Sequence, residues 1–183
     1  GLYKTRKELL EALCSRYEVY VSLPFGSHIR LMTQMGCKYI ETEFHRHGKN
    51  PFADLRLLQI YIKMIAQIRP AVVLTFTIKP NIYGGIAAAW MHVPQIANIT
   101  GLGTTLYRTS FLQRLVIMMY RFGFKKTNTV FCQNQSNLEF MERECISHNY
   151  CELIPGSGVN LSDFRFTEYP KDTEPVIFLT ICR

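Results

Sequence analysis

Short apolar strands alternating with amphipathic helices predict an α/β protein built on a doubly wound parallel sheet. Three observations carry that expectation. Apolar, β-branched runs recur along the chain, segments of helical period separate them, and turns rich in glycine, amides and hydroxyls follow the runs. With 183 residues, 48% of them hydrophobic, the chain is long enough for one well-buried core and too short for two domains of ordinary size. The 13% aromatic and 19% charged content is that of an ordered protein, which excludes a disordered segment.

The elements follow in order. Leu2, Leu9, Leu10 and Leu13 recur at helical spacing, with Lys4, Arg6, Lys7 and Glu11 between them, so the chain opens in a helix. Glu18–Pro24 alternates as a strand and, after a short helix, Cys37–Phe44 reads as a second. Leu55, Leu58, Ile62, Ile65 and Ile68 trace one face of a helix from Asp54 to Ile68, which Pro70 stops. Ala71–Ile78 is almost continuously apolar, the pattern of a central parallel strand covered on both faces. Helix Ile82–His92, strand Gln95–Ile99, helix Phe111–Phe124, strand Thr129–Cys132, helix Ser136–Glu144 and strand Glu152–Ile154 continue the alternation. Residues 161–175 lose periodicity and gather acids, lysine and prolines, as an interdomain linker does, and Val176–Cys182 reads as one more apolar strand. The domain reading is therefore a unit at 1–160, a linker at 161–175 and, at 176–183, the opening strand of a second domain.

In a doubly wound sheet ligands bind outside the carboxyl ends of the strands, so the loops there are the candidate site. Lys79-Pro80-Asn81 with Gly84 and Gly85 offers a cation and a helix start to an anion, or Asn81 simply caps the helix. Thr100, Gly101, Gly103 and Thr104 combine hydroxyls with glycines that let backbone N–H groups face a phosphate or sugar; turn formation explains the glycines equally well. Gln133 to Asn137 is dense in amides suited to sugar hydroxyls, with Asn134 the candidate contact, and capping by Ser136 is the competing reading. Gly156, Ser157 and Gly158 suit a hinge or the wall of a cleft. His47, within His45-Arg46-His47-Gly48-Lys49-Asn50, lies in a basic loop that fits phosphate better than metal, since no carboxylate or cysteine accompanies the histidines at ligand spacing. No Ser-His-Asp or Cys-His arrangement is legible, so the catalytic residues stay unassigned.

The formal charge of +7 favours anionic partners. Between Leu106 and Lys126 stand Arg108, Arg114, Arg121, Lys125 and Lys126 without one acid, interleaved with large apolar residues. That pattern fits a helix lying on an anionic membrane surface, or a core helix with a solvated basic face. Nucleic acid is not expected, because no binding motif accompanies the charge. The six cysteines form no CxxC pair and read as reduced thiols. No stretch reaches the ~20 apolar residues of a spanning helix, and no signal-peptide run follows Gly1, so a chain that neither spans nor is exported is expected.

The strings TFTIKPNIYGG (75–85), PQIANITGLGT (94–104), VFCQNQSN (130–137) and LIPGSGVNLSDF (153–164), preceded by GCKYIETEFHRHGKNPFADL (36–55), together resemble the successive signatures of family 4 glycosyltransferases. The likeness is to members that build bacterial capsule, exopolysaccharide and lipid-linked glycans. It implies a GT-B enzyme of two Rossmann-like domains, the first binding acceptor and the second binding nucleotide-sugar, with retention of anomeric configuration. It also implies no obligatory metal or cofactor, a lipid-linked or polysaccharide acceptor, and attachment to the cytoplasmic face of the membrane. Against that pattern the sequence is expected to lack the first strand and the second domain, with its donor-binding pair of glutamates. The resemblance implies that Gly1 stands at the end of the first phosphate-facing loop, and the chain alone is expected to be inactive. Two other readings stay open, a sugar-nucleotide epimerase of the same architecture and a non-catalytic domain that docks on membrane or partner.

Overall fold

A computed structural model of the chain describes residues 2–43, 50–102, 111–144, 146, 150–168 and 178. Its elements are α1 (Leu2–Cys14), β1 (Tyr20–Leu23), α2 (Ile29–Gln34), β2 (Lys38–Glu41), α3 (Pro51–Ile68), β3 (Val73–Phe76), a π-helical turn (Pro80–Gly84) running into α4 (Gly85–Trp90), β4 (Gln95–Ile99), α5 (Phe111–Gly123), β5 (Thr129–Cys132), α6 (Gln135–Arg143) and β6 (Tyr150–Leu153). The α/β alternation is the expected one, and every strand pair is parallel.

The strands form two sheets rather than one. β1 pairs with β2, and β3, β4, β5 and β6 lie side by side in chain order. Each sheet has its own core. Leu10, Val21, Met32 and Cys37 close the small one, whereas Leu57, Ile82, Ala87, Ala97, Tyr120, Phe124, Val130 and Met141 belong to the large one. The apolar run at 71–78 had suggested a central strand, yet β3 is an edge strand of the described sheet and only its Thr75 is buried. The strands with a neighbour on either side are β4, buried at four of its five residues, and β5, buried at Val130 and Cys132. Apolar content alone did not separate these cases, because Val73 and Ile78 flank the large core from the edge.

Two contacts fix the layers over the large sheet. Gln95, fully buried at the start of β4, donates to the Thr75 hydroxyl and the Asn81 carbonyl and accepts from Thr127. Its amide thereby satisfies polar groups that burial would otherwise make costly. The second is a close approach of backbones, since a Cβ at Gly85 would lie 2.3 Å from the carbonyl oxygen of Gly123. The two glycines Gly84 and Gly85, first read as room for an anion, serve packing: Gly84 faces a Thr75 methyl and Gly85 faces α5. The helix expected over 82–92 begins instead as the π-helical turn, with Pro80 at its start where a missing N–H is harmless.

Asn50 caps α3 by accepting from the Phe52 N–H, so the end of the basic 45–50 loop is a helix start. Cys14 and Cys37 bring their sulfurs to 3.4 Å as free thiols, and Cys132 is a free thiol as well. After β6 the chain from Leu161 to Glu168 is exposed. The strand expected over 176–182 lies outside the described residues apart from Phe178.

Candidate functional site

All four strands of the large sheet run in one direction, so Phe76, Ile99, Cys132 and Leu153 end on one edge and the loops that follow gather there. Across that edge runs a row of polar side chains from four separate elements. Asn98, next to last in β4, holds its Oδ1 toward both neighbours: Arg6 donates Nη2 to it at 3.5 Å, and Gln133, just after β5, donates Nε2 at 3.2 Å. The same Gln133 amide donates to Ser157 Oγ at 3.2 Å in the loop beyond β6.

Arg6 reaches this edge because α1 is kinked there, its backbone leaving helical values at φ −143° and ψ 21°. Its guanidinium stands 5.1 Å from the centroid of the Phe76 ring, a cation–π contact at the end of β3. The residue is only 9% exposed, and among the described residues no carboxylate lies within ion-pair distance of it. Burial draws its pKa below the ordinary value, the direction expected for a desolvated cation.

Backbone strain accompanies the row. Thr77, directly after β3, has φ 71°, a left-handed conformation that β-branched residues avoid, and its carbonyl accepts the Asn81 N–H. Beyond β6, Gly156 and Gly158 have φ of 77° and 69°, values that suit glycine, and they bracket Ser157.

The structure distributes the residues picked from sequence unevenly. Ser157 belongs to the row, while Thr100 and Gly101 are exposed at the same strand-end edge. Asn134 is exposed beside Gln133, but its Oδ1 caps α6 by accepting the Asn137 N–H at 2.8 Å, the task first assigned to Ser136. Lys79 is taken by Asp54 at 2.5 Å, with the two side chains 13% and 18% exposed. Asn81 is 1% exposed and spends its amide on the Asn98 carbonyl, so it supports β4 from beneath the edge. Gly1, His47, Gly103 and Thr104 lie outside the described residues. Gln133 and Asn98 open two of the candidate loops without being the residues named as contacts there, whereas Arg6 lies outside all of those loops, and nothing in sequence marks the kink that delivers it.

On α5 the exposed positions form a line. Phe111, Leu115, Met118 and Phe122 recur at spacings of three and four and are all exposed, Phe111 by 84% and Phe122 by 64%, while Ile117, Tyr120 and Phe124 face the core. Arg114, Lys125 and Lys126 are exposed on or just beyond the same helix; Arg108 lies outside the described residues. Arg121 is exposed too, but it donates Nε and Nη2 to the carbonyl of Glu144 and so clasps the end of α6.

Among the described residues no three of His, Cys, Asp and Glu come together as a metal site, and no helix is long and apolar enough to cross a membrane.

Two comparisons give this edge a context. The model of the glycosyl transferase 4-like family matches residues 5–134, a span containing Arg6, Asn98 and Gln133. An N,N'-diacetylbacillosaminyl-diphospho-undecaprenol alpha-1,3-N-acetylgalactosaminyltransferase of Campylobacter jejuni is 30% identical over an alignment 184 residues long that covers 97% of this chain and 49% of that relative. The chain thus spans about half the length of the curated relative it matches.

Proposed function

The chain belongs to the glycosyl transferase 4-like family, and from that premise we propose that it is the acceptor-side half of a retaining enzyme that moves a sugar from a nucleotide-sugar to a lipid-linked glycan. The observation that carries this reading is the row Arg6, Asn98, Gln133 and Ser157 across the strand ends, together with a helix whose outer line is apolar and cation-flanked. Amide, hydroxyl and guanidinium groups suit the hydroxyls and phosphates of such an acceptor. The α5 line suits the interface where a lipid carrier is held, with Phe111, Leu115, Met118 and Phe122 entering the boundary and Arg114, Lys125 and Lys126 meeting anionic head groups. The name of the Campylobacter relative supports a polyprenyl-diphosphate acceptor.

Thr100, Gly101 and Asn134 then line the acceptor cleft, Gly156 and Gly158 flex beside it, and a second domain beyond a linker at 161–175 supplies most donor contacts. Lys79 and Asn81 position the turn after β3. No cofactor is assigned, and attachment is to the cytoplasmic face of the membrane.

The test is acceptor dependence in the full-length polypeptide, assayed with nucleotide-sugars in the presence and absence of polyprenyl-diphosphate glycan. Sugar incorporated into the lipid fraction only when acceptor is present supports the reading. An epimerised nucleotide-sugar formed without acceptor replaces it by the epimerase alternative.

A further inference from the structure

Arg6 is the one buried arginine of the described structure, and it is poorly compensated. A guanidinium carries five N–H donors in a planar fork. Among the described residues one of them meets an acceptor, the neutral Asn98 Oδ1 at 3.5 Å, and that oxygen is shared with Gln133. One face of the cation rests toward Phe76. Burying a charge without a counter-charge costs several kcal/mol unless something offsets it. The fork is therefore better explained by an anion than by its present neighbours. The place agrees: Arg6 stands at the carboxyl ends of β3 and β4, over the ring of Phe76, which precedes the strained Thr77, and at the head of the polar row.

We propose that Arg6 is an oxyanion anchor, its fork binding a phosphate or diphosphate of the substrate at the strand-end edge while Asn98 and Gln133 hold it in register. The glycosyl-transfer reading suggests two sources for that group, the nucleoside diphosphate of the donor and the prenyl diphosphate of the acceptor. The anchor itself depends on neither, only on the geometry around Arg6.

The test uses the full-length polypeptide and three probes: inorganic pyrophosphate, uridine diphosphate for the donor source and farnesyl diphosphate for the acceptor source. Equilibrium affinities are compared for wild type, Arg6→Gln and Arg6→Lys, with the melting temperature of each protein measured free of ligand. Loss of a charge-assisted hydrogen-bonding fork is expected to weaken binding of at least one probe about tenfold or more. Arg6→Lys should fall between the other two, because it keeps the charge and loses the fork. The diphosphate whose affinity falls most identifies the source. The ligand-free Arg6→Gln protein should melt no lower than wild type, since a buried unpaired charge has been removed. If wild type binds none of the probes, or folded Arg6→Gln binds all of them as wild type does, the anchor is overturned. Lowered ligand-free melting with unchanged affinity would make Arg6 a structural tie between α1 and the sheet. Absence of sugar transfer by the wild type would overturn the enzymatic reading and leave the pyrophosphate result standing.

Discussion

Lys79 reaches back to Asp54 at 2.5 Å, and Tyr83 donates its hydroxyl to the other oxygen of the same carboxylate at 2.9 Å. One carboxylate in the first turn of α3 thus holds both Lys79, just before the π-helical turn, and Tyr83 within that turn. Burial, and then the neighbouring Asp54, push the Tyr83 pKa up, so that hydroxyl stays a donor. Removing Asp54 leaves a partly buried ammonium and a phenol without their partner. Asp54→Ala is expected to destabilise the protein by about 2–3 kcal/mol, below the figure for a fully buried pair because both groups retain some solvent. Lys79→Met, which removes the charge and keeps the stem, should cost about 1 kcal/mol or less. Urea unfolding of the two variants checks the order; equal costs would contradict it.

The contact of Gly85 with Gly123 leaves no room for a methyl group, because it would meet main-chain atoms of α5 at Gly123 and the buried Gln95 Oε1. Gly85→Ala is expected to cost about 3 kcal/mol, at the upper end of overpacking effects, since a backbone cannot swing aside as a side chain can. Gly101, with nothing within 4 Å of a built Cβ, is the control, and Gly101→Ala should leave the unfolding midpoint nearly unchanged. A similar loss in both variants would show that the helix crossing is not the constraint.

If α5 lies on the membrane, its apolar line and its cations contribute separately. Phe111→Ser with Phe122→Ser should reduce flotation with vesicles by about tenfold or more, because a buried Phe side chain is worth about 1.5–3 kcal/mol. Changing Arg114, Lys125 and Lys126 to Gln should weaken binding to vesicles containing anionic lipid, by about 1 kcal/mol for each charge near the surface, and leave binding to neutral vesicles unaltered. Vesicle binding indifferent to both sets would contradict the docking surface.

Alkaline pH should weaken the fold. Burial pushes the Cys37 thiol up to about 12 from 9.0, with a further push from Cys14, and burial does the same to Cys132. Both thiols are protonated in folded and unfolded chains at neutral pH, where their contribution is fully present. As pH rises past 9.0 the unfolded chain releases these protons and the folded one retains them until about 12, so stability falls across that window. Each thiol contributes a slope of up to about 1.4 kcal/mol per pH unit. Urea unfolding at pH 8 and pH 10.5 should show a smaller loss for Cys132→Ala than for wild type, and an identical loss would count against this cause.

Strand and helix order was legible because period-2 and period-3.6 patterns are local, and β4 and β5 lie where the sequence put them, at Gln95–Ile99 and Thr129–Cys132. Sheet position was not legible. The apolar run around β3 records contact with one core, and nothing local tells an edge strand from a central one. The site was legible as a set of loops and not as a set of residues. Which amide reaches across to which, as Gln133 does to Asn98 and Ser157, depends on strand register. Lys79 looked free because its partner is 25 residues away. Arg6 looked like a solvated helix position, since the kink that turns it inward has no proline or glycine to announce it.

The most direct measurement is sugar transfer by the full-length polypeptide to a polyprenyl-diphosphate glycan, comparing kcat/KM for wild type and Gln133→Ala. Gln133 links Asn98 to Ser157 at the centre of the polar row, so its loss is expected to lower kcat/KM by about tenfold or more, as removal of a placed hydrogen-bonding group does. Acceptor-dependent transfer by wild type, with that fall and an unchanged melting temperature in the variant, is the predicted result. Transfer that needs no acceptor, or a Gln133→Ala protein with the kcat/KM of wild type, would contradict the assignment of the strand-end edge as the acceptor site.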